Sequence, residues 1–204
     1  MNDFEHFAYS EICAALTRIE SAITPDIYAL SFHVFDFQDD PRHPMLQLGF
    51  NTEAHCRASS PVQGRKPGWP VASDAREARW NFAFWPQNEL VFVGEPDTQG
   101  GQLLEQYLRS NDLWFTDEDG EADFDRCCEI AVAITAEFVA IMVRIAQALH
   151  ANGVIANRFG RVIPIIVHEL EYYEQIAIQT NAANPPGVAL EFVDWVDKLG
   201  TPFA

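Results

Sequence analysis

Lysine is nearly absent from this chain: Lys66 and Lys198 are its two lysines in 204 residues. Lysine and arginine together number 13 against 30 aspartates and glutamates, a formal net charge of −17. A surface of that sign repels phosphate backbones and anionic lipid headgroups, so nucleic acid and membrane are excluded as partners and a basic protein is favoured. Cysteine is also scarce, with four residues and no Cys-x-x-Cys spacing; Cys127 and Cys128 are adjacent and cannot readily bridge each other. The first residues, Met1-Asn2-Asp3-Phe4-Glu5-His6, lack the basic start and apolar run of a secretory signal. Reduced thiols and a cytoplasmic location are therefore expected. No uninterrupted apolar run is long enough to span a bilayer, because Glu137 and Arg144 break the stretch from Ile130 to Leu149.

Catalytic signatures are missing as well. There is no Gly-x-Ser-x-Gly elbow, Walker loop or Gly-x-Gly-x-x-Gly turn. His168-Glu169 opens like a zinc-protease helix, yet the second histidine four residues after the first is lacking, so no metal site is expected. The run Asp117-Glu118-Asp119-Gly120-Glu121 suggests a calcium loop until it is counted: position six is Ala122 in place of Gly, and position twelve is Cys128 in place of Glu. Neither a cofactor nor a catalytic residue is indicated.

What is present is a foldable core. Apolar residues make up 48% and aromatics 12%, which suits one α+β domain over residues 1–204. Phe4, Phe7, Ile12, Leu16, Ile19 and Ile23 mark a helix over Asp3 to Ile23, stopped before Pro25. Tyr28 to Phe37 alternates as a central strand, and Met45 to Phe50 returns antiparallel after the turn at Asp39-Asp40-Pro41. Arg57 to Val71 reads as an exposed loop and is locally basic together with Arg76 and Arg79. A helix from Ser73 to Phe84, a short strand from Glu89 to Val93 and a helix from Gln102 to Leu108 follow.

The longest predicted helix, Phe124 to Ala151, has a stripe of Ile130, Ile134, Phe138, Ile141, Ile145 and Leu149, widened by Val132, Ala136, Val139 and Val143. Cys127 and Cys128 open this apolar face and read as core packing. Asn152-Gly153 ends the helix. Val162 to Val167 is a strand whose Pro164 implies an edge position or a bulge, and helices over Glu171 to Thr180 and Val188 to Leu199 flank Asn184-Pro185-Pro186-Gly187. The sum is an α+β fold: a mostly antiparallel sheet covered by helices, with one long buried helix.

Acidity concentrates in two places, Asp112 to Glu129 and Glu169 to Asp197. Within them Asp117, Glu118, Asp119, Glu121, Glu169, Glu171, Tyr172 and Tyr173 are the candidate partner-binding residues, since tyrosine beside carboxylate supplies rigid area and charge together. A carboxylate-based enzyme site near Glu169 and Glu171, acting on a small or cationic substrate, is the alternative.

An ordered set of segments also resembles a bacterial family of unknown function and similar length: Phe50-Asn51-Thr52-Glu53, Glu77-Ala78-Arg79-Trp80-Asn81, Pro164 to Tyr173, Asn184-Pro185 and Phe192-Val193-Asp194-Trp195. Through it the chain is similar to immunity proteins of polymorphic toxin systems, including α+β domains related to the yeast cell-wall regulator superfamily. That resemblance implies a non-enzymatic protein that binds and blocks a cognate toxin. The acidic surface agrees with it, because it would steer a basic partner into place.

Overall fold

The computed structural model describes residues 1–60 and 72–199. The chain forms a four-stranded sheet with helices on both faces. Strands β1 (Ile27–Asp36), β2 (Pro44–Thr52), β3 (Val91–Val93) and β4 (Ile165–His168) lie in the order β3-β2-β1-β4. β1 pairs antiparallel with β2, β2 antiparallel with β3, and β1 parallel with β4. The expected α+β class, the hairpin and the central place of β1 are thus observed. Proline explains the position of β4: a strand entered from Pro164 sits at the sheet edge.

Alternation along the strands divides the core. Leu30, Phe32, Val34, Leu46, Leu48, Ile165 and Val167 face one layer. Against them pack α1 (Asp3–Arg18), α4 (Gln99–Ser110), α6 (Phe124–Ala151) and α7 (Val154–Phe159). The opposite face carries Tyr28, Ala29 and Ile166 with the buried polar residues Ser31, His33, Gln47, Asn51 and His168. Trp80, Phe82, Trp85, Phe192 and Trp195 cover it, from α3 (Ala75–Trp80), the short turn Phe82–Phe84 and α9 (Leu190–Leu199). A helix α2 (Glu53–Ser59), capped by the Thr52 side chain, continues directly from β2. It replaces the start of the loop expected from Arg57 onward, while the remainder of that segment, with Arg65 and Lys66, lies outside the described residues.

Several boundaries differ from expectation for local reasons. α1 ends at Arg18, ahead of Ile23, because Thr24–Asp26 forms a separate 3-10 turn with Pro25 at its start. The helix expected from Ser73 to Phe84 is broken at Asn81, whose side chain caps the Phe82–Phe84 turn. The acidic run contains its own helix α5 (Asp117–Ala122), closed by a reciprocal cap between Thr116 and Asp119.

The long helix has the predicted bounds, and Gly153 leaves it at φ 72° in the left-handed region that glycine accepts without strain. Its 28 residues span about 42 Å. Burial is confined to one face, mainly from Ile134 onward, with Cys127 as the one buried residue of the helix before it. Val132 and Ala136 are exposed and so do not widen the core stripe; Cys128 is exposed too, whereas Cys127 is buried.

β4 has an unusual outer edge. Where a fifth strand would pair, α8 (Glu174–Ala183) and the residue after it present side chains. Asn184 Oδ1 accepts from Ile165 N at 2.8 Å and its Nδ2 donates to Ile165 O at 2.7 Å. Thr180 Oγ1 accepts from Val167 N at 3.1 Å, and Gln179 Nε2 donates to Val167 O at 3.0 Å. The edge is satisfied without a strand.

Candidate functional site

The parallel pairing of β1 with β4 positions a cluster of carboxylates. Its register sets His33 against His168, so Glu169, Leu170 and Glu171 run on beside Val34, Phe35 and Asp36. These residues, with Asp39, Tyr173 and Thr135 of α6, line a depression of about 410 Å3. A second depression, of about 550 Å3, adjoins it through Asp39. Asp40, Asp117 and Glu121 add to its rim, and Phe115, Phe124, Cys127, Cys128 and Ala131 form its apolar part. Ala131 in one and Thr135 in the other stand one helical turn apart on α6, so the two depressions make one trough.

The apolar floor arises from the length of α6. Phe124, Cys127, Ala131, Ile134, Phe138 and Ile141 recur at alternating steps of three and four, the pattern of a helix face made for packing. From Ile134 onward the face is buried against the sheet. Before it the helix overhangs, and Phe124 is left 72% exposed. Leu170, across the trough, is 73% exposed.

The rim is unevenly compensated. At the α5 end Arg42 bridges two carboxylates, Asp40 at 2.7 Å and Asp117 at 2.7 Å, and its guanidinium lies 5.4 Å from the Phe115 ring centre. Its hydrogen bonds hold the Asp40 carboxyl below the usual carboxylate range. At the other end, Asp36, Asp39, Glu169 and Glu171 take part in none of the ion pairs among the described residues. Burial, then the charges of Asp40, Glu169 and Asp39, push the Asp36 carboxyl up. The loop that carries Asp36, Asp39 and Asp40 turns through two left-handed residues, Gln38 at φ 53° and Asp39 at φ 60°. Among the described residues no three His, Cys, Asp or Glu side chains are grouped to hold a metal ion. The carboxylates ring a depression and do not converge on a point.

Of the eight candidate residues, five line the trough: Asp117 and Glu121 at one end, Glu169, Glu171 and Tyr173 at the other. The Tyr173 hydroxyl donates to Glu169 Oε2 at 3.0 Å. Asp119 instead accepts from the Thr116 backbone and hydroxyl, bonds that lower its pKa and fix the start of α5. Glu118 is exposed on α5 and lines neither depression. Tyr172 faces inward: its oxygen accepts from Phe82 N at 2.8 Å and its ring meets Trp195 at 5.0 Å. Asp36, Asp39 and Asp40 complete the trough although no motif marks them. Their signal was the alternation of β1, which puts Asp36 on the face of Val34 at the end of the strand.

A second polar group lies inside the opposite face of the sheet. Ser31 Oγ and His168 Nε2 are 2.7 Å apart, and His168 Nδ1 is 2.7 Å from Glu169 O. The carbonyl can only accept, so Nδ1 carries the proton and Nε2 accepts from the serine hydroxyl. The rings of His33, His168 and Tyr172 stack at 5.3 and 5.8 Å. The pair matches a nucleophile and its base in spacing alone. Ser31 is fully buried and His168 is 1% exposed, so no substrate carbonyl reaches the hydroxyl in this conformation.

No family model matches this chain, and no curated protein or solved structure matches it. Among the described residues no helix is long and apolar enough to cross a membrane.

Proposed function

We propose that this protein is an acidic protein-binding module that engages a basic protein partner through the trough, acting as an immunity-type inhibitor of a cognate bacterial toxin. The observation that carries the reading is the conjunction on one surface of exposed Phe124 and Leu170 with four carboxylates that take part in no ion pair among the described residues. Charge of one sign accelerates encounter with an oppositely charged partner, and an apolar centre slows departure. The net charge of −17 extends that attraction over the molecule. The resemblance of Pro164 to Tyr173 and the accompanying segments to the immunity-protein group points the same way.

The test uses a partner captured on the intact chain and then purified. Its association rate should fall at least tenfold between about 50 and 300 mM salt, as expected for steered encounter. A rate indifferent to salt would refute the proposal. The alternative, a carboxylate-based enzyme acting on a small or cationic substrate, draws on one feature: Asp36 has a raised pKa and lines a depression with Glu169 and Glu171. It requires saturable turnover of a small or cationic compound that Asp36→Asn abolishes. Tight binding of a protein by the native chain, with no saturable turnover of any small or cationic compound, rejects it.

A further inference from the structure

We infer that the occupant of the trough is a basic amphipathic helix of the partner, with an arginine entering the depression between Asp36, Asp39, Glu169 and Glu171. The inference rests on the protein-binding proposal and specifies its ligand. α6 supplies the reason for a helix. Its packing face continues past the sheet through Ala131 to Phe124, and although Cys127 between them is buried, Ala131 is only partly covered and Phe124 is left 72% exposed. A face of that spacing is complemented by ridges on a second helix, which presents its own side chains at three- and four-residue steps. From Phe124 to Thr135 the floor runs about 16 Å, room for roughly three helical turns.

The charges supply the reason for arginine. Four carboxylates spread around a depression of about 410 Å3 suit a planar cation with several donors better than a point charge. Phe35 and Tyr173 in the same lining offer it aromatic surface. An extended strand fits less well, because its side chains point alternately away and the outer edge of β4 is already satisfied by Asn184 and Thr180. A second copy of this chain would bring the same carboxylates against themselves, and a phosphate polymer has the wrong sign.

The probe is a synthetic amidated peptide of about 16 residues, built of Arg, Leu and Ala with Arg and Leu on one helical face. Its controls are a scrambled peptide of the same composition and spermine. Fluorescence anisotropy should show binding in the micromolar range and circular dichroism a gain in helix, with the scrambled peptide and spermine at least tenfold weaker. The triple variant Asp36→Asn, Glu169→Gln, Glu171→Gln should weaken the amphipathic peptide at least tenfold, and Phe124→Ala about threefold. All four positions are at least partly exposed, and thermal unfolding checks that each variant folds.

Equal binding of the scrambled peptide or spermine would overturn the helix, since charge alone would then suffice. Unchanged binding by the variants would overturn the location. A captured natural partner that binds with steep salt dependence yet ignores these substitutions removes this inference while leaving the protein-binding proposal intact. A partner with no salt dependence removes both.

Discussion

Acid should unfold this protein through His168, and the size of the effect follows from its surroundings. Burial first, and the neighbouring His33 second, lower the His168 pKa from 6.5 to about 3. In the unfolded chain the imidazole titrates near its ordinary value of about 6.5. As pH falls through that value the unfolded state takes up a proton that the folded state refuses. Stability is therefore lost from about pH 6.5 downward, and the loss ends only near pH 3, where the folded form also protonates. One proton costs about 1.4 kcal/mol per pH unit, so pH 5 should cost roughly 2 kcal/mol and the whole window about 5 kcal/mol.

His33, also lowered by burial, adds in the same direction. Protonation of the many carboxylates opposes it, since the repulsion within a chain of net charge −17 then relaxes. Comparison with His168→Gln separates the two, because the amide keeps an acceptor for Ser31 and does not titrate. Urea unfolding of both proteins at pH 7, 6 and 5 should show the native chain losing about 2 kcal/mol more than the variant. Nitrogen chemical shifts of the imidazole should show Nε2 still unprotonated at pH 5. Parallel stability curves, or a ring protonated at pH 5 in the folded state, would refute the reasoning.

Asn184→Ala removes both partners of the Ile165 backbone and should cost about 3 kcal/mol, with faster hydrogen exchange at Ile165 as the local sign. Gly101→Ala should lower Tm by about 4–8 °C, because a Cβ there would sit 2.1 Å from the Glu95 carbonyl oxygen, a clash worth about 2 kcal/mol. Asp36→Asn should behave oppositely at neutral pH. It relieves a half-buried carboxylate crowded by Asp40, Glu169 and Asp39, and should raise stability by a few tenths to about 1 kcal/mol while weakening partner binding.

The long-period features of this fold were legible in the sequence. The stripe of α6 repeats from Ile130 to Leu149, about five turns, Asn152-Gly153 marked its end, and the β1–β2 hairpin declared itself by alternation and an acidic turn. Less visible were elements decided by single side chains. α5 exists through one reciprocal cap in a run that otherwise reads as solvated charge, and Asn81 divides what composition would join. At the trough, sequence marked Glu169, Glu171 and Tyr173 but not their neighbours, because Asp36 and Asp39 arrive by way of the parallel β1–β4 pairing across more than a hundred residues. Tyr172 and Tyr173 show the same limit: adjacent and alike in sequence, one supports Phe82 and the other faces the groove.

The side chains along the outer edge of β4 bear on how the proposed partner would be recognised. Many recognition modules add a strand of the ligand to an open sheet edge, and main-chain pairing of that kind is largely indifferent to sequence. Here Asn184, Thr180 and Gln179 have taken the backbone positions that such a strand would use. At the opposite edge, β3 offers only three residues. If the trough binds a protein as proposed, recognition there rests on side-chain charge and shape and not on main-chain pairing. Its specificity could then be rewritten by substitutions around the trough with the sheet left untouched.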